Sequence, residues 1–298
     1  MDTSSRDNAP TPPLPSSLSW DTDRLRAGRD LWCLAPGDQD SDRLWAAAGR
    51  PGDEPDPVWE ALRSRVRTGL DVFGFAHVRR FFPAEPAADL VQEKEVTERA
   101  ARLVRDFGAI VPQNGDGDLT QVLRRRPGDP EEIGFHCDTC DFLVLLCLRP
   151  AAEGGATRVA GAQHIHDVLA AERPDVLALL GEKWYFDRAG RAGAPLVHTP
   201  ILTTAPDGPA TCYYQSRTVR ASAGHGGRPP LDAARVEALD VLDEVLNRPE
   251  TAHPVMLASG DLLIIRNSRV MHGRSPFTDA PEPLHRRVLR LWLDEETA

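Results

Sequence analysis

The stretches GFHCD at residues 134–138 and VMHGR at residues 270–274 decide the fold, although they lie far apart in the sequence. Successive side chains of a β-strand point to opposite faces, so His136 and Asp138 share one face. A second strand must bring His272 to the same place. Two imidazoles and one carboxylate around one metal ion leave half of an octahedral coordination sphere open, which is typical of an oxygen-activating iron site.

The residues around His272 support this interpretation. The apolar run at residues 260–267 predicts a short strand that turns near Ser268, after which the chain re-enters the core at His272. A histidine followed by an aspartate two positions later is common by chance. It becomes a specific signal together with the downstream His-Gly-Arg and the basic cluster Arg286, Arg287 and Arg290.

These motifs resemble the taurine dioxygenase / clavaminate synthase-like family of Fe(II)- and 2-oxoglutarate-dependent oxygenases. The resemblance runs from about residue 65 to residue 294 and rests on four segments, residues 135–150, 153–157, 260–274 and 286–293. It implies a mainly β fold with flanking helices (α+β), built on a double-stranded β-helix, the cupin-like jelly roll. It also implies that His136, Asp138 and His272 hold Fe(II) and are the catalytic residues.

The same resemblance implies a pocket for 2-oxoglutarate, with O2 as the other co-substrate. In the family a Thr or Ser after a glycine pair hydrogen-bonds the distal carboxylate of 2-oxoglutarate, which indicates Thr157. By the family's spacing Arg286 binds the 5-carboxylate, Arg290 lies beside it in the pocket and Arg287 points outward. A guanidinium can grip a carboxylate through two parallel hydrogen bonds. Thr157 also suits a strand by β-propensity alone, and Arg290 could instead pair with an acidic neighbour.

Substrate-binding candidates lie in two other segments. Gln113 and Asn114 resemble a family position on the rim of the active site, and their amides can bind an amino-acid or amide substrate. Loop amides also commonly satisfy their own backbone. Residues 211–220 alternate like a strand, on which Arg217 and Arg220 face opposite ways. One of these two can pair with a substrate carboxylate, and Arg217 is the candidate.

Length and charge limit the class of protein. We expect a disordered tail at residues 1–19 and one Fe(II)/2-oxoglutarate oxygenase domain at residues 20–298, with its core at about 65–294. The net charge of −10 argues against a nucleic-acid partner bound through its phosphates. No apolar run approaches the ~20 residues of a membrane span, and no leader pattern is visible, so we expect no membrane partner and a cytoplasmic location.

The five cysteines form an odd set without regular spacing, so free thiols are expected instead of a disulfide scaffold. Cys137 and Cys140 could bind zinc in an interaction module, but no second Cys/His pair at zinc-finger spacing accompanies them. We expect Cys137 to fill the face of its strand opposite the metal. Cys147 should lie in the core.

The remaining pattern predicts the other elements. Apolar spacing predicts helices at residues 43–48, 58–66, 83–106, 168–180 and 231–246, the fourth divided by Pro174. Alternation predicts the first core strand at residues 69–78, in which His77 is structural. The Gly/Pro/Ser-rich residues 221–230 predict an active-site lid.

The predicted function is oxidation, by default hydroxylation, of an unactivated C–H bond in a small molecule. The preferred substrate is a free amino acid or an amino-acid-derived metabolite, with succinate and CO2 as co-products. Asp138 argues against halogenation, because halogenating relatives lack this carboxylate. Desaturation or cyclisation of a secondary metabolite stays open, as does a non-catalytic jelly-roll binding or sensor protein. The sequence does not indicate the oligomeric state.

Overall fold

A computed structural model of the protein describes residues 18–48, 56–82, 90–125, 129, 131–187, 196–205, 208–224 and 228–295. Most of the tail predicted at residues 1–19 lies outside these ranges. So does the middle of the predicted lid at residues 221–230.

Nine α-helices and one short 3₁₀-helix, Arg105–Phe107, occur in the described part of the chain. Aspartates begin three of the α-helices, because Asp21, Asp56 and Asp232 each accept a hydrogen bond from a backbone N–H of the first turn. The α-helices are α1 (Thr22–Ala27), α2 (Arg29–Trp32), α3 (Asp38–Ala48), α4 (Pro57–Phe73), α5 (Leu90–Val104), α6 (Ala162–Glu172), α7 (Pro174–Leu180), α8 (Ser216–Ser222) and α9 (Ala233–Asn247).

The strands are β1 (Cys33–Leu34), β2 (Phe75–Val78), β3 (Ala109–Ile110), β4 (Thr120–Leu123), β5 (Ile133–His136), β6 (Phe142–Arg149), β7 (Glu153–Gly154), β8 (Thr157–Gly161), β9 (Lys183–Asp187), β10 (Leu196–Pro200), β11 (Leu202–Thr204), β12 (Ala210–Cys212), β13 (His253–Val255), β14 (Leu262–Arg266), β15 (Val270–Arg274), β16 (Phe277–Thr278) and β17 (Arg287–Asp294). The larger sheet has the order β1-β2-β14-β6-β17-β3, with β4 also paired to β17. The smaller has the order β13-β8-β15-β5.

Strand β6 shows how these sheets are layered. One set of alternate residues, Phe142, Val144, Leu146 and Leu148, belongs to an apolar cluster that includes residues of α3, α4 and α5. The intervening set, Leu143, Leu145 and Cys147, belongs to a cluster shared with β8, β13 and β15. Since alternate side chains leave opposite faces of a strand, the larger sheet lies between helices and the smaller sheet. Helices α6, α7 and α9 cover the other side of the smaller sheet. The protein is thus a mixed α/β fold rich in strands.

The helix predictions at residues 43–48 and 58–66 fall within α3 and α4, and the break at Pro174 is confirmed, since α6 ends at Glu172 and α7 begins at Pro174. The strand predicted at residues 69–78 is wrong in its first half. Helix α4 continues to Phe73, because Leu62, Val66, Leu70 and Phe73 are buried at helical spacing.

The strand predicted at residues 211–220 is also wrong beyond Cys212. The chain leaves β12, makes an isolated bridge between Gln215 and His136, and then forms α8. Backbone N–H groups of Thr218 and Val219 donate to the Gln215 carbonyl and begin this helix. The apparent alternation of the segment therefore spans a short strand and a helix. None of the described helices is both long and apolar enough to cross a bilayer.

Gly74 forms the close junction between α4 and β2. Its φ is +79°, and an added Cβ would lie 2.6 Å from Val270 Cγ2 at the start of β15. Substitution therefore combines a left-handed backbone penalty with a steric overlap beside the strand that carries His272.

We predict that Gly74→Ala lowers the free energy of unfolding by about 2–4 kcal/mol, the sum of left-handed strain and overpacking. Gly117→Ala is the matched control, because Gly117 has a φ of +84° but nothing within 4 Å of an added Cβ. Urea denaturation should show a loss of only about 1–2 kcal/mol for the control. Equal losses in the two variants would contradict the packing argument.

Candidate metal centre

Two neighbouring strands bring together the groups predicted to bind metal. Strand β5 ends at His136, and its antiparallel neighbour β15 carries His272 directly opposite. Asp138 follows β5, with its carboxylate 3.8 Å from His136 Nε2. The three possible ligand atoms all lie within 4.8 Å of one another. Within the described ranges, these three residues form the one group of three or more His, Cys, Asp or Glu side chains that are close enough to hold one metal ion.

The Asp138 carboxylate is buried and held by several groups. Trp292 Nε1 donates to its Oδ2 at 2.9 Å, and the Arg290 guanidinium lies 3.6 Å from the same oxygen. The backbone N–H of Asp138 donates to Asn267 Oδ1 at 3.1 Å. Burial raises the pKa of Asp138, but the positive charge of Arg290 and the hydrogen bond from Trp292 outweigh it. The pKa is lower than usual, so the carboxylate is ionised at neutral pH.

Each imidazole has a nitrogen placed to bind a metal. His136 Nδ1 lies 2.9 Å from the Gly134 carbonyl, which only accepts hydrogen bonds, so Nδ1 carries the proton and Nε2 is free to bind a metal. Burial, reinforced by the nearby His136, lowers the pKa of His272 to about 3. His272 is therefore neutral at physiological pH. Its Nδ1 is buried and has no hydrogen-bond partner among the described residues.

Arg290 is fixed by two glutamines. Its Nε donates to Gln113 Oε1 at 2.7 Å and one terminal nitrogen donates to Gln121 Oε1 at 2.8 Å. Gln113 Nε2 in turn donates to the Arg290 carbonyl at 2.8 Å. The buried Gln113 amide thus holds Arg290, and through it Asp138, and does not extend toward a substrate. The alternative that Arg290 pairs with an acidic neighbour agrees with its position beside Asp138.

Arg286 and Thr157 line the same cavity as the three metal-binding candidates, a space of about 240 Å³. Both side chains are buried. The Arg286 guanidinium lies over the Phe277 ring, 5.4 Å from its centroid. Burial lowers the pKa of Arg286 more than the charge of nearby Asp279 raises it, and no carboxylate of the described residues lies within ion-pair distance of its guanidinium. Arg287 points to the other side of the sheet, where it pairs with Glu93 of α5.

The structure does not bring Asn114 or Arg217 to the cavity. Asn114 Oδ1 accepts the backbone N–H groups of Asp116 and Asp118, and Nδ2 donates to the Asp118 carboxylate, so the amide closes its own loop. Arg217 is exposed on α8. Its expected position depended on a strand predicted at residues 211–220, but at Arg217 the chain is helical.

Cys137 and Cys140 belong to no metal-binding cluster in the described part of the chain, so the zinc module is not supported. None of the five cysteines, all of which lie in the described ranges, forms a disulfide. Cys137 is buried in the cluster on the helix side of the smaller sheet, opposite the metal-binding candidates, as expected. Cys147 is buried as expected, and burial raises its pKa to about 12.

Three residues that hold the centre were not predicted from the sequence: Trp292, Asn267 and Gln121. The alternation of β17 contained a signal for the first, because Trp292 shares a face with Arg290. Asn267 ends the apolar run of β14, where a polar residue could have been expected to bind a neighbouring backbone. Gln121 has no comparable signal, since its role depends on the pairing of β4 with β17.

Comparisons with known proteins agree with this geometry. Residues 35–292 match the model of the taurine catabolism dioxygenase TauD, TfdA family. FR-33289 synthase of Streptomyces rubellomurinus (strain ATCC 31215) is 29% identical over 282 residues, which cover 84% of this chain and 81% of that protein.

Two solved structures share the fold. The asparagine oxygenase in complex with Fe(II), 2S,3S-3-hydroxyasparagine and succinate has a TM-score of 0.65 and 18% identity, covering 88% of this chain and 93% of the other. The non-heme iron oxygenase OrfP in complex with Fe, succinate and (3R,4R)-dihydroxy-L-Arg has a TM-score of 0.63 and 18% identity, covering 89% and 94%.

Trp292→Phe should weaken Fe(II) binding by about 10- to 100-fold, because it removes the N–H that orients Asp138. Trp20→Phe is the matched control: it also removes a buried indole N–H, which donates to the Phe73 carbonyl away from the centre. Anaerobic Fe(II) titration measures both affinities. An unchanged affinity in Trp292→Phe, or an equal loss in the control, would show that this hydrogen bond does not support the centre.

Proposed function

We propose that this chain, which belongs to the taurine catabolism dioxygenase TauD, TfdA family, oxidises a C–H bond of a small amino-acid substrate. In this proposal His136, Asp138 and His272 hold the Fe(II) that supplies the chemistry. The protein is an Fe(II)- and 2-oxoglutarate-dependent dioxygenase that uses O2 and forms succinate and CO2. The observation that carries the proposal is the presence, in one cavity, of this ligand set and of the Arg286 guanidinium.

His136, Asp138 and His272 fit Fe(II) by their chemistry. Two imidazoles and an ionised carboxylate match the ligand set of non-haem iron oxygenases, and the buried His272 Nδ1 without a hydrogen-bond partner fits a centre completed by a ligand. When bound, Fe(II) supplies the redox chemistry that couples decarboxylation of 2-oxoglutarate to oxidation of the substrate. Trp292 and Arg290 orient Asp138, and Gln113 and Gln121 orient Arg290. Gln113 is therefore a positioning residue in this proposal.

Arg286 is proposed to bind the 5-carboxylate of 2-oxoglutarate. A buried guanidinium is costly without an opposite charge, and a dicarboxylate in the cavity would supply one. Thr157 lines the same space with a hydroxyl that can donate to that carboxylate. Arg290 lies beside Arg286 in the cavity wall, but its donors already bind Gln113, Gln121 and Asp138. We assign it mainly to orienting Asp138.

The cavity wall also suits a zwitterion. Arg124 and Arg274 contribute positive charge, Asp129 contributes negative charge, and Ile133 and Leu123 are apolar. An amino acid presents both an ammonium and a carboxylate to such a wall. A space of about 240 Å³ that also holds 2-oxoglutarate favours a small substrate. The asparagine and arginine derivatives bound to the two structural neighbours support the same class.

The two facing sheets are proposed to be the double-stranded β-helix of the family, in a single oxygenase domain at residues 20–298. A cytoplasmic location stays a prediction from the sequence. Hydroxylation is the default outcome, and desaturation or cyclisation of a secondary metabolite remains the alternative.

We predict that Arg286→Gln raises the KM for 2-oxoglutarate by about 10- to 150-fold, which corresponds to a lost charge-assisted contact of about 1.5–3 kcal/mol. Arg287→Gln is the control, because Arg287 pairs with Glu93 outside the cavity. Succinate formation at varied 2-oxoglutarate measures both. The assignment fails if Arg286→Gln has a wild-type KM or if both variants change alike.

A screen of free amino acids with iron-loaded protein and 2-oxoglutarate should find at least one that raises succinate formation above the uncoupled background. Mass spectrometry should then show a product one oxygen atom heavier than that amino acid. Asp129→Asn should raise the KM for the amino acid about tenfold or more and leave that for 2-oxoglutarate unchanged. Stimulation by other small molecules but by no amino acid would reject the substrate class and keep the dioxygenase.

A further inference from the structure

A second cluster of reactive side chains lies at the edge of the larger sheet. Strands β1 and β2 pair in parallel with Cys33 opposite His77, so the two side chains share a face. Cys33 Sγ lies 3.9 Å from His77 Nδ1, and His77 Nε2 lies 2.9 Å from Asp261 Oδ2. The Cys33 thiol, the His77 imidazole and the Asp261 carboxylate thus contact one another in sequence. In this arrangement the imidazole can act as the base that activates the thiol as a nucleophile.

Asp261 fixes the imidazole in this arrangement. Its buried carboxylate also accepts backbone N–H groups from Arg80 at 2.9 Å and Ala258 at 3.0 Å. Burial raises the pKa of Asp261, but the hydrogen bonds from His77 and these two N–H groups outweigh it and keep the carboxylate ionised. The His77 Nε2 must therefore donate to Asp261, and Nδ1 faces the thiol.

Charge on the cluster favours a thiolate. Burial raises the pKa of Cys33. The hydrogen bonds and positive charges of His77 and Arg29 lower it by more, so the pKa lies below the ordinary value for a thiol. Burial lowers the pKa of His77, yet its bonds to Asp261 and Cys33 raise it above the ordinary value. Both directions stabilise a thiolate beside an imidazolium.

The thiol opens onto its own cavity of about 630 Å³, whose lining differs from that of the metal centre. Cys33 is partly exposed, whereas the other four cysteines are buried. The titratable groups that line this cavity are Arg26, Arg29, Arg79, Cys33, His77, His253 and Asp261. Arg26 already pairs with Asp23, but Arg29 and Arg79 against one buried carboxylate still make the cavity attractive to small anions.

We propose that Cys33 is the nucleophile of a second site, where it exchanges with a small disulfide that carries carboxylate groups. The Cys33 thiolate attacks one sulfur of the disulfide, an S–S bond forms as the original S–S bond breaks, and the departing thiolate takes the proton of the His77 imidazolium. The products are a mixed disulfide on Cys33 and one free thiol, with no net change in electrons.

Disulfide exchange fits this site better than acyl transfer. An acyl-transfer site needs backbone N–H donors for the oxyanion, and the nucleophile's own N–H is commonly one of them. Here the Cys33 N–H already donates to the Arg29 carbonyl at the end of α2. Thiol exchange has no such requirement.

The probe for this site is 5,5′-dithiobis(2-nitrobenzoate), a dianionic disulfide whose released thiol is coloured. With the folded full-length chain under anaerobic conditions, we expect one fast equivalent from Cys33 and slow release from the four buried cysteines. Cys33→Ser should abolish the fast phase. Cys140→Ser is the control and should keep it, since Cys140 is buried. A fast phase that survives Cys33→Ser, or no fast phase in the wild type, overturns the proposal.

The pH profile and the reagent charge test the cluster itself. The fast phase should have a midpoint below the ordinary thiol pKa of about 8.5, and His77→Gln should return it towards that value. Arg79→Gln, at an exposed position of the cavity wall that does not set the pKa of Cys33, should slow the anionic reagent about threefold or more but not the neutral 4,4′-dithiodipyridine. A wild-type midpoint at about 8.5, or equal slowing of both reagents, contradicts the proposed site.

Discussion

The structure depends on keeping one ionised carboxylate buried between two sheets. Removing an ion from water costs several kcal/mol unless partners replace its hydration, and Asp138 has such partners in Trp292 and Arg290. Arg290 is itself satisfied by Gln113 and Gln121. The larger sheet thus provides the electrostatic support, and the smaller sheet brings the two imidazoles. The site exists only where the two sheets face each other.

Alternate residues of strand β17 have different roles on its two faces. Its residues Leu289 and Leu291 pack under the helices, and Arg287 on the same side reaches Glu93. Arg290 and Trp292 leave the opposite face and reach Asp138. A one-residue shift of this strand would therefore turn Arg290 and Trp292 to the helix side. The Asp138 carboxylate would then be buried without these partners. Register here is a functional constraint as much as a packing one.

The predictable part of the protein follows from local periodicity. The proximity of His136 and Asp138, the outward direction of Arg287 and the burial of Cys147 all follow from alternation along one strand. The structure places Asn114 and Arg217 away from the cavity for different reasons: the Asn114 amide closes its own turn, and the segment that carries Arg217 is a helix. Gln113 does bind a partner, but that partner is Arg290, distant in sequence. Such roles depend on tertiary pairing, which a local pattern does not contain.

The most direct test of the account is anaerobic addition of Fe(II) and 2-oxoglutarate to the protein, followed by its visible spectrum. If the three ligands and Arg286 form one centre, the wild type should show a weak metal-to-ligand charge-transfer band. Asp138→Ala and Arg286→Ala should weaken this band, and Arg287→Ala should leave it unchanged. Bound iron without the band, or a band that neither substitution affects, would contradict the central claim.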